Sequence, residues 1–169
     1  MTDMLIFVDL QGFIVNDKFT MKEIAVLRNG KELTHHIFRA LMSWDLLTKS
    51  EKSRACWLTS KHHQLNWTDG DVDYKLMRTL VRNAVCAESL VYVKGYEKKK
   101  WLAEILENDV AIETIDADYE DIGRLRTLKA SRAFRCGYHA KNCALENVCK
   151  LYDWWSERRD QLRDISTIL

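Results

Sequence analysis

Met4-Leu-Ile-Phe-Val-Asp9 is a run of apolar residues that ends in a carboxylate. A short run of this kind is typical of a strand that is buried on both faces at the centre of a sheet. Gln11-Gly12-Phe13 follows almost directly, and we expect the chain to turn there because glycine favours turns. The sequence therefore predicts a fold built on an N-terminal central strand.

The segments that follow this strand flank an Asn-Gly dipeptide. Residues 22–28 and 31–38 lie on either side of Asn29-Gly30. A tight hairpin turn requires positive φ at both of its central positions, and asparagine and glycine tolerate this conformation. We therefore expect an antiparallel hairpin near the N-terminus.

Helical and strand-like segments alternate along the rest of the chain. The patterns predict helices over residues 44–61, 71–85, 97–107 and 119–134, strands over 89–94 and 110–115, and a loop over 136–142, and a last helix begins at 143. A hairpin followed by strand-helix-strand predicts an α/β fold, a mixed five-stranded sheet with helices on both faces. We expect residues 1–169 to form a single domain, with residues 150–169 as a candidate extended C-terminal helix.

The composition restricts the class of protein. The chain has 169 residues with 26 Lys and Arg against 25 Asp and Glu, a net charge of only +1. This balance excludes a protein that coats nucleic acid through bulk charge, so any such binding must use a local patch. We expect no membrane partner, because no apolar run is long enough to span a bilayer. Five cysteines without a secretory signal favour a cytoplasmic and/or nuclear location, with free thiols or a metal site.

Three segments resemble motifs of the DnaQ-like exonucleases, a superfamily with the RNase H-like fold. The first is Val8-Asp9-Leu10-Gln11-Gly12 followed by Glu23-Ile24-Ala25-Val26, which is similar to the family's first two strands. The second is the strand-then-helix segment of residues 91–102, and the third is Asn142-Cys-Ala-Leu-Glu-Asn-Val148, which is similar to the closing helix. The resemblance implies an RNase H-like (DnaQ-like) arrangement of the mixed sheet.

The resemblance also implies a loss of catalysis. Active members of the family hold two divalent metals on four carboxylates, with a general base nearby. Asp9 keeps the first carboxylate, but Gln11, Lys98 and Asn147 stand at the other three positions and Asn142 stands at the base. One carboxylate beside an ammonium group cannot recruit a metal pair. We therefore expect no catalytic residues and a pseudoenzyme rather than an enzyme.

An active nuclease is the alternative. Glu97 and Glu146 each lie one residue from a lost carboxylate position, and they could join Asp9 around a metal. A shift of one residue on a helix turns the side chain by about 100°, which disfavours this substitution.

A candidate metal site lies near the C-terminal helix. Cys136-x2-His139-x3-Cys143 places three zinc-type ligands within eight residues, with a glycine that lets the loop fold tightly. The fourth ligand is open from the spacing alone. Cys149 is about 600° around the helix from Cys143, whereas Glu146 at i+3 is sterically feasible. The alternative is that Cys143 is a small buried apolar residue and His139 lies at the surface.

The same region resembles the Maelstrom domain, a DnaQ-like fold that lost its carboxylates and carries zinc. Arg135-Cys136-Gly-Tyr-His139 and Cys143-Ala-Leu are similar to its Cys-x2-His, spacer, Cys-Ala-Leu pattern. Lys22-Glu23-Ile24 resembles the strand that supplies its ligand glutamate. The resemblance implies a structural Zn²⁺ bound by Glu23 together with the Cys, His and Cys of the loop. It also implies a role in RNA silencing or transposon control.

The other cysteines and histidines are predicted to have no metal role. We expect Cys56, Cys86 and Cys149 to pack in the core. Neighbouring residues of a strand point to opposite faces, so His35 and His36 cannot easily serve one site. The pair His62-His63 is expected to be solvated.

Basic residues form the candidate nucleic-acid surface. On the helix predicted over 119–134 they give a cationic stripe beside the metal loop, and Lys98 and Lys99 belong to a second cluster. The members of the stripe are Arg124, Arg126, Lys129, Arg132 and Arg135. Guanidinium groups suit phosphate backbones, and single-stranded RNA is the partner that the family resemblance favours. The alternative is an ordinary solvated helix face.

The C-terminal helix offers a different kind of partner. Trp154 and Trp155 are adjacent, so we expect one to pack on the core while the other is left for a protein partner or for self-association. A pure interaction scaffold built on this helix is therefore a second alternative. The expected function is a catalytically degenerate domain that binds RNA or a protein.

Overall fold

A computed structural model describes residues 4–85, 88–107, 110–132 and 134–168. Its strands are β1 (Met4–Val15), β2 (Lys18–Arg28), β3 (Glu32–Ile37), β4 (Ser89–Val93) and β5 (Ala111–Thr114). Its α-helices are α1 (Lys49–Lys61), α2 (Met77–Ala84), α3 (Tyr96–Leu106), α4 (Ile115–Asp118) and α5 (Ala144–Ile168). Three single turns of 3-10 helix, Trp44–Leu46, Tyr74–Leu76 and Leu125–Thr127, complete the regular structure of these residues.

The strands form one mixed sheet in the order β3-β2-β1-β4-β5. β1 pairs antiparallel with β2 and parallel with β4, while β2–β3 is antiparallel and β4–β5 is parallel. The turn between β2 and β3 has positive φ at Asn29 and Gly30. The predicted α/β class, the mixed five-stranded sheet, the central N-terminal strand and the Asn-Gly hairpin are confirmed.

The predicted turn at Gln11-Gly12-Phe13 is wrong. β1 continues to Val15, and the turn lies at Asn16-Asp17, which both adopt positive φ. Gly12 instead serves a β-bulge, because a Cβ atom there would lie 2.1 Å from the carbonyl oxygen of Thr20. Glycine therefore permits a close approach of β1 to β2 rather than a reversal of the chain.

The two faces of the sheet bury different layers of the core. Ile6, Val8 and Leu10 of β1 pack in the cluster that contains residues of α2 and α3. Phe7 points to the other face, where it packs with Ala144, Val148 and other residues of α5. Asp9 and Gln11 share the α5 face with Phe7 because strand side chains alternate. This alternation puts polar side chains of the central strand beneath the start of α5.

The predicted helix over 119–134 is wrong within the residues that the structure describes. The segment is irregular apart from one 3-10 turn, and its apolar side chains are half-buried against the α5 layer of the core. Hydrogen bonds with α5 hold the backbone of this segment: Lys150 Nζ donates to the carbonyl of Leu125, and the amide of Ser131 donates to Asp153. The apolar repeat thus reflects packing along α5 rather than the turns of a helix.

The helices predicted earlier in the chain exist with altered bounds. The segment 44–61 is divided, because Thr48 caps the N-terminus of α1 with a capping box and separates it from the preceding 3-10 turn. The segment 71–85 begins with a 3-10 turn and becomes α-helical only at Met77. No helix within the described part of the chain is both long enough and apolar enough to cross a membrane.

α5 continues to Ile168, and its two halves have different environments. Trp154 and Trp155 are both half-buried: Trp154 packs edge-on against Tyr119, and Trp155 packs against Phe7. The expectation that one of them is left free is therefore wrong, since residues 119–132 cover the side of the helix that carries Trp154. Residues 160–168 are all exposed.

Candidate metal centre

Four side chains from three parts of the chain meet at one end of α5. Glu23 comes from β2, Cys136 and His139 come from the loop before α5, and Cys143 immediately precedes the helix. One ligand atom from each of the four lies within 4.8 Å of the others. In residues 4–85, 88–107, 110–132 and 134–168, no other group of three or more His, Cys, Asp or Glu side chains is close enough to hold a metal ion.

The loop conformation explains how three of these residues face the sheet. Gly137 adopts φ 88°, which allows the chain to reverse between Cys136 and His139. Asn142 adopts φ 54°, a left-handed conformation that asparagine tolerates better than most residues, and it sets Cys143 at the head of α5. Gln11 Nε2 donates to the Asn142 carbonyl at 2.6 Å, so β1 fixes the position of this loop.

His139 is oriented by a main-chain carbonyl. Its Nδ1 donates to the carbonyl oxygen of His63 at 2.6 Å, and its Nε2 lies 2.8 Å from Glu23 Oε2. Both ring nitrogens thus face acceptors. Such an imidazole needs either a second proton or a cation between Nε2 and the carboxylate. A metal-bound histidine commonly shows this pattern, with the other ring nitrogen donating to a carbonyl.

Glu23 is fully buried and receives four hydrogen bonds. Oε1 accepts from Gln11 Nε2 at 2.5 Å and from the amide of Ala144 at 3.0 Å, and Oε2 accepts from His35 and His139, each at 2.8 Å. Burial alone would raise the pKa of Glu23, but the hydrogen bonds from the two histidines outweigh it and lower the pKa to about 2. The carboxylate is therefore ionised and rigid.

The charge of Glu23 also acts on His139. Burial alone would lower the pKa of His139, but its hydrogen bonds to Cys143 and Glu23 raise the pKa to about 10. Burial raises the pKa of the Cys136 thiol to about 12, while the hydrogen bond from His139 lowers that of Cys143 against the effect of burial. A cation in this pocket is thus stabilised, and a proton on His139 supplies it when no metal does.

The donor set fits zinc in chemistry and in size. Two thiolates, an imidazole and a carboxylate are the ligand types of tetrahedral zinc. Bond lengths of about 2.0–2.3 Å put the donor atoms of such an ion roughly 3.3–3.8 Å apart. The observed spread, up to 4.8 Å, requires an adjustment of about 1.5 Å at most. Four protein ligands leave no coordination position for a reactive water molecule.

The other candidate ligands have different partners. Glu146 lies 3.4 Å from Arg135 and 3.8 Å from Lys150, and Cys149 is buried in the α5 core layer. The expectation of a buried Cys149 is confirmed. The expectation for Cys56 is wrong, since its position on α1 is exposed, and Cys86 lies outside the described residues.

A second polar cluster surrounds Asp9 on the same face of the sheet. The Asp9 carboxylate is fully buried; Lys98 Nζ donates to its Oδ1 and Asn147 Nδ2 donates to its Oδ2 at 2.8 Å. Lys98 and Asn147 thus both contact Asp9, so three of the five residues that sequence analysis placed at the family's catalytic positions meet here. The remaining two, Gln11 and Asn142, contact each other beside the first cluster.

The two glutamates of the nuclease alternative do not pair with Asp9 among the described residues. The hydrogen-bonding partners of Asp9 are Lys98 and Asn147, whereas Glu146 pairs with Arg135 and Lys150. Glu97 is exposed on the first turn of α3. In this arrangement the ammonium group of Lys98 lies against Oδ1 of Asp9.

The predicted basic stripe does not form a helix face. Arg124, Arg126 and Lys129 are exposed and make no ion pair with any described residue. Arg132 donates to the carbonyl of Gly30 at 3.2 Å, and Arg135 pairs with Glu146. Two of the five stripe residues are therefore engaged in holding the loop.

The second basic cluster is also partly engaged. Lys98 is bound to Asp9, and Lys99 lies 3.9 Å from Glu113. Lys98 is therefore held as a half-buried counter-ion of Asp9.

Sequence reasoning missed the residues that support the metal centre. His35 bonds Glu23, and His63 is buried, with its ring accepting from the amide of Leu65 at 3.1 Å and contacting the carbonyl of Gly12 at 3.2 Å. Burial lowers the pKa of His63 to about 4, so the ring is neutral and structural. Lys22 is buried too, and its Nζ donates to the carbonyls of Trp67 and Asp69. For Lys22, the only signal in the sequence is its position next to Glu23.

Comparisons with known proteins add no assignment. No family model, no curated protein and no solved structure matches the chain. Function must therefore be inferred from the chemistry of the two clusters and of the surfaces around them.

Proposed function

We propose that this protein is a catalytically degenerate DnaQ-like domain of the RNase H-like fold, that a structural zinc ion holds it together, and that it binds single-stranded RNA without cleaving it. The observation that carries the proposal is the Asp9 cluster. Its buried carboxylate is already neutralised by Lys98 and further satisfied by Asn147.

The zinc ion has a structural role in this proposal. Glu23, Cys136, His139 and Cys143 fill a tetrahedral shell, so the ion closes the loop before α5 onto β2 and activates no water. Because these ligands come from distant parts of the chain, metal binding contributes directly to the free energy of folding.

The loss of catalysis follows from charge. A metal pair requires several carboxylates that face each other, whereas the partners of Asp9 among the described residues are the Lys98 ammonium group and the Asn147 amide. Lys98 contacts Asp9 directly. Electrostatic repulsion between its ammonium group and a divalent ion bound to Asp9 therefore strongly disfavours metal binding in this buried site. We therefore assign the protein a binding rather than a catalytic role.

The biological setting comes from the resemblance alone. The pattern of Cys136, His139 and Cys143 with Glu23 resembles the Maelstrom domain, which implies RNA silencing or transposon control. Single-stranded RNA is the ligand consistent with that setting.

Two measurements on the purified chain test the proposal. Elemental analysis is expected to find about one zinc ion per chain, and the absence of zinc would overturn the structural role. Nuclease assays with Mg²⁺ or Mn²⁺ on single- and double-stranded substrates are expected to show no cleavage. Cleavage that is abolished by Asp9→Ala, with zinc content unchanged, would establish the active nuclease with Asp9, Glu97 and Glu146 instead.

A protein-interaction scaffold is the second candidate, and one observation favours it. Leu162, Ile165 and Ile168 are 45%, 55% and 85% exposed on the last turns of α5. Analytical ultracentrifugation distinguishes self-association from a monomer: a dimer that Leu162→Asp and Ile165→Asp dissociate would support the scaffold, and a monomer at all concentrations would contradict self-association.

A further inference from the structure

A cleft beside the Asp9 cluster combines aromatic and basic side chains. It has a volume of about 710 Å³ and lies between the last turns of α1 and the first turn of α3. Its lining includes Trp57, Tyr96, Arg54, Lys94 and Lys98. It is larger than the cavity of about 580 Å³ next to it, and its lining does not include the metal ligands.

Two aromatic rings in this cleft are left uncovered by the fold. Trp57 of α1 is 59% exposed and Tyr96 of α3 is 73% exposed. Neither ring packs against another aromatic ring within the described residues, whereas Trp101 in the same cleft stacks on Phe19 at 4.1 Å. Large exposed aromatic side chains from two different helices around one concavity indicate a ligand with flat faces.

The charges around these rings indicate a ligand with negative groups. Arg54 and Lys94 line the cleft and form no ion pair with any described residue, and Lys98 adds a third cation that is bound to Asp9. Glu97 is the one acidic side chain in the described lining. Cations next to exposed rings are the combination that binds phosphates and unpaired bases together.

A neighbouring cavity continues this surface. It has a volume of about 580 Å³ and shares Ile14 and Trp101 with the cleft. Lys18, Lys75 and Lys100 line it without ion pairs to described residues, and Arg78 lines it while paired with Glu107. The acidic side chains of its lining are Asp17 and Glu104. Positive charge therefore exceeds negative charge along both cavities.

We propose that the cleft between α1 and α3 is the binding site for single-stranded nucleic acid, with bases stacked on Trp57 and Tyr96 and phosphates paired with Arg54 and Lys94. The inference rests on the proposed function and moves its ligand away from the loop with Arg124, Arg126 and Lys129. Paired bases cannot present their faces to the rings, so a duplex binds weakly. The strand leaves the cleft along the neighbouring cavity.

Fluorescence anisotropy with labelled 12-nucleotide strands tests this inference. The probes are oligouridylate, oligothymidylate and a duplex of matched length. Trp57→Ala and Tyr96→Ala are each expected to weaken binding to the single strands by about tenfold, the effect of losing one stacked base. Trp57→Phe and Tyr96→Phe keep a ring and are expected to bind close to the parent chain. Phe134→Ala removes an aromatic side chain that is 44% exposed outside the cleft and serves as the control.

Charge reversal separates the cleft from the loop. Arg54→Glu with Lys94→Glu is expected to weaken binding and to reduce the slope of log affinity against log salt by about 1–2, since each phosphate contact contributes about 1. Arg124→Glu, Arg126→Glu and Lys129→Glu together serve as the matched control and are expected to change affinity far less. Tighter binding of oligouridylate than of oligothymidylate would identify RNA, and equal binding would identify single strands in general.

The outcomes distinguish this inference from the proposed function. If the loop variant loses binding while the cleft variants do not, the cleft assignment is wrong and the proposed function stands. If the parent chain binds no single strand at all, both are wrong. Zinc content and melting temperature of each variant establish that a lost affinity does not arise from unfolding.

Discussion

Two buried polar clusters lie side by side on one face of the sheet, and they neutralise a buried carboxylate in different ways. Each contains a fully buried carboxylate, Glu23 on β2 and Asp9 on β1. Each is closed by the first turns of α5, through the amide of Ala144 in one case and the side chain of Asn147 in the other. Gln11, two residues from Asp9, bonds Glu23.

The difference lies in the source of positive charge. Asp9 has a cation from its own chain, because Lys98 reaches it from α3. Glu23 faces two thiols and the imidazoles of His35 and His139, and none of these carries a permanent positive charge. A buried charge without a partner is strongly unfavourable, so we expect the Glu23 cluster to take up a zinc ion or a proton on His139, whereas Lys98 already neutralises Asp9.

The largest expected effect comes from removing zinc at the Glu23 cluster. Chelation, or His139→Ala, is expected to lower the melting temperature by more than about 10 °C, because a structural zinc site contributes several kcal/mol or more to folding. Thermal unfolding followed by circular dichroism, with zinc content measured in parallel, checks this. Magnesium or manganese at millimolar concentration is not expected to restore the loss.

Cys56→Ser is the matched control for that experiment. It removes an exposed cysteine outside the cluster and is expected to change neither zinc content nor melting temperature. A chelated chain that melts like the untreated one would show that the proton on His139 suffices and that the two clusters are equally independent of metal.

Lys98→Met tests the Asp9 cluster, whose counter-ion comes from the chain itself. It leaves Asp9 buried without its counter-ion, and we expect the free energy of unfolding to fall by about 3–5 kcal/mol. Urea denaturation measures the change. Lys99→Met is the control, since its ion pair with Glu113 spans 3.9 Å between half-exposed side chains and is worth at most about 1 kcal/mol.

A double variant separates the contribution of charge to this loss of stability from that of packing. Asp9→Leu combined with Lys98→Met is expected to recover most of the stability, because the cost lies in the unpaired charge rather than in the missing contact. Equal destabilisation of the single and double variants would mean that packing, not charge, is the function of Lys98.

Asn147→Asp tests the hydrogen bond from Asn147 to Asp9. The substitution removes the donor that lies 2.8 Å from Asp9 Oδ2 and places a second carboxylate there, so we expect a loss of about 1–3 kcal/mol. The measurement is again urea denaturation, with and without divalent metal. If Mg²⁺ or Mn²⁺ restores the stability of this variant, the Asp9 cluster binds a metal despite Lys98, contrary to our interpretation.

The sequence predicted the sheet better than the segment that covers α5. The central strand and the Asn29-Gly30 hairpin depend on local signals, an apolar run and two residues that tolerate positive φ. The segment 119–132 depends on tertiary contacts, because its apolar residues pack along α5 and Asp153 satisfies Ser131. A repeat of apolar residues does not reveal which neighbour they face.

The candidate site divides in the same way. The spacing of Cys136, His139 and Cys143 is a local signal, but Glu23 was reached only through a family resemblance. The Cys-His-Cys spacing says nothing about which strand approaches it. The opposite orientations of His35 and His36 argue only against a site that uses both, and His35 alone contacts Glu23.

His35→Ala has the smallest expected effect and tests this outer support directly. His35 Nε2 lies 2.8 Å from Glu23 Oε2, so its loss removes one of the two histidine contacts of this oxygen without removing a zinc ligand. Loss of an outer partner of this kind weakens metal binding by about 10- to 100-fold, and the partly exposed position of His35 favours the lower figure, about 1.4 kcal/mol. Competition with a fluorescent chelator measures the zinc affinity.

His36→Ala is the matched control, because His36 is the next residue of β3 and its ring lies near Phe38 instead of Glu23. Unchanged zinc affinity in His35→Ala would mean that the carboxylate is held by Gln11 and Ala144 alone. Complete loss of zinc would mean that His35 is itself a ligand. Either result would change the set of residues that belong to the Glu23 cluster. Gln11 would then be the contact that separates this cluster from the Asp9 cluster.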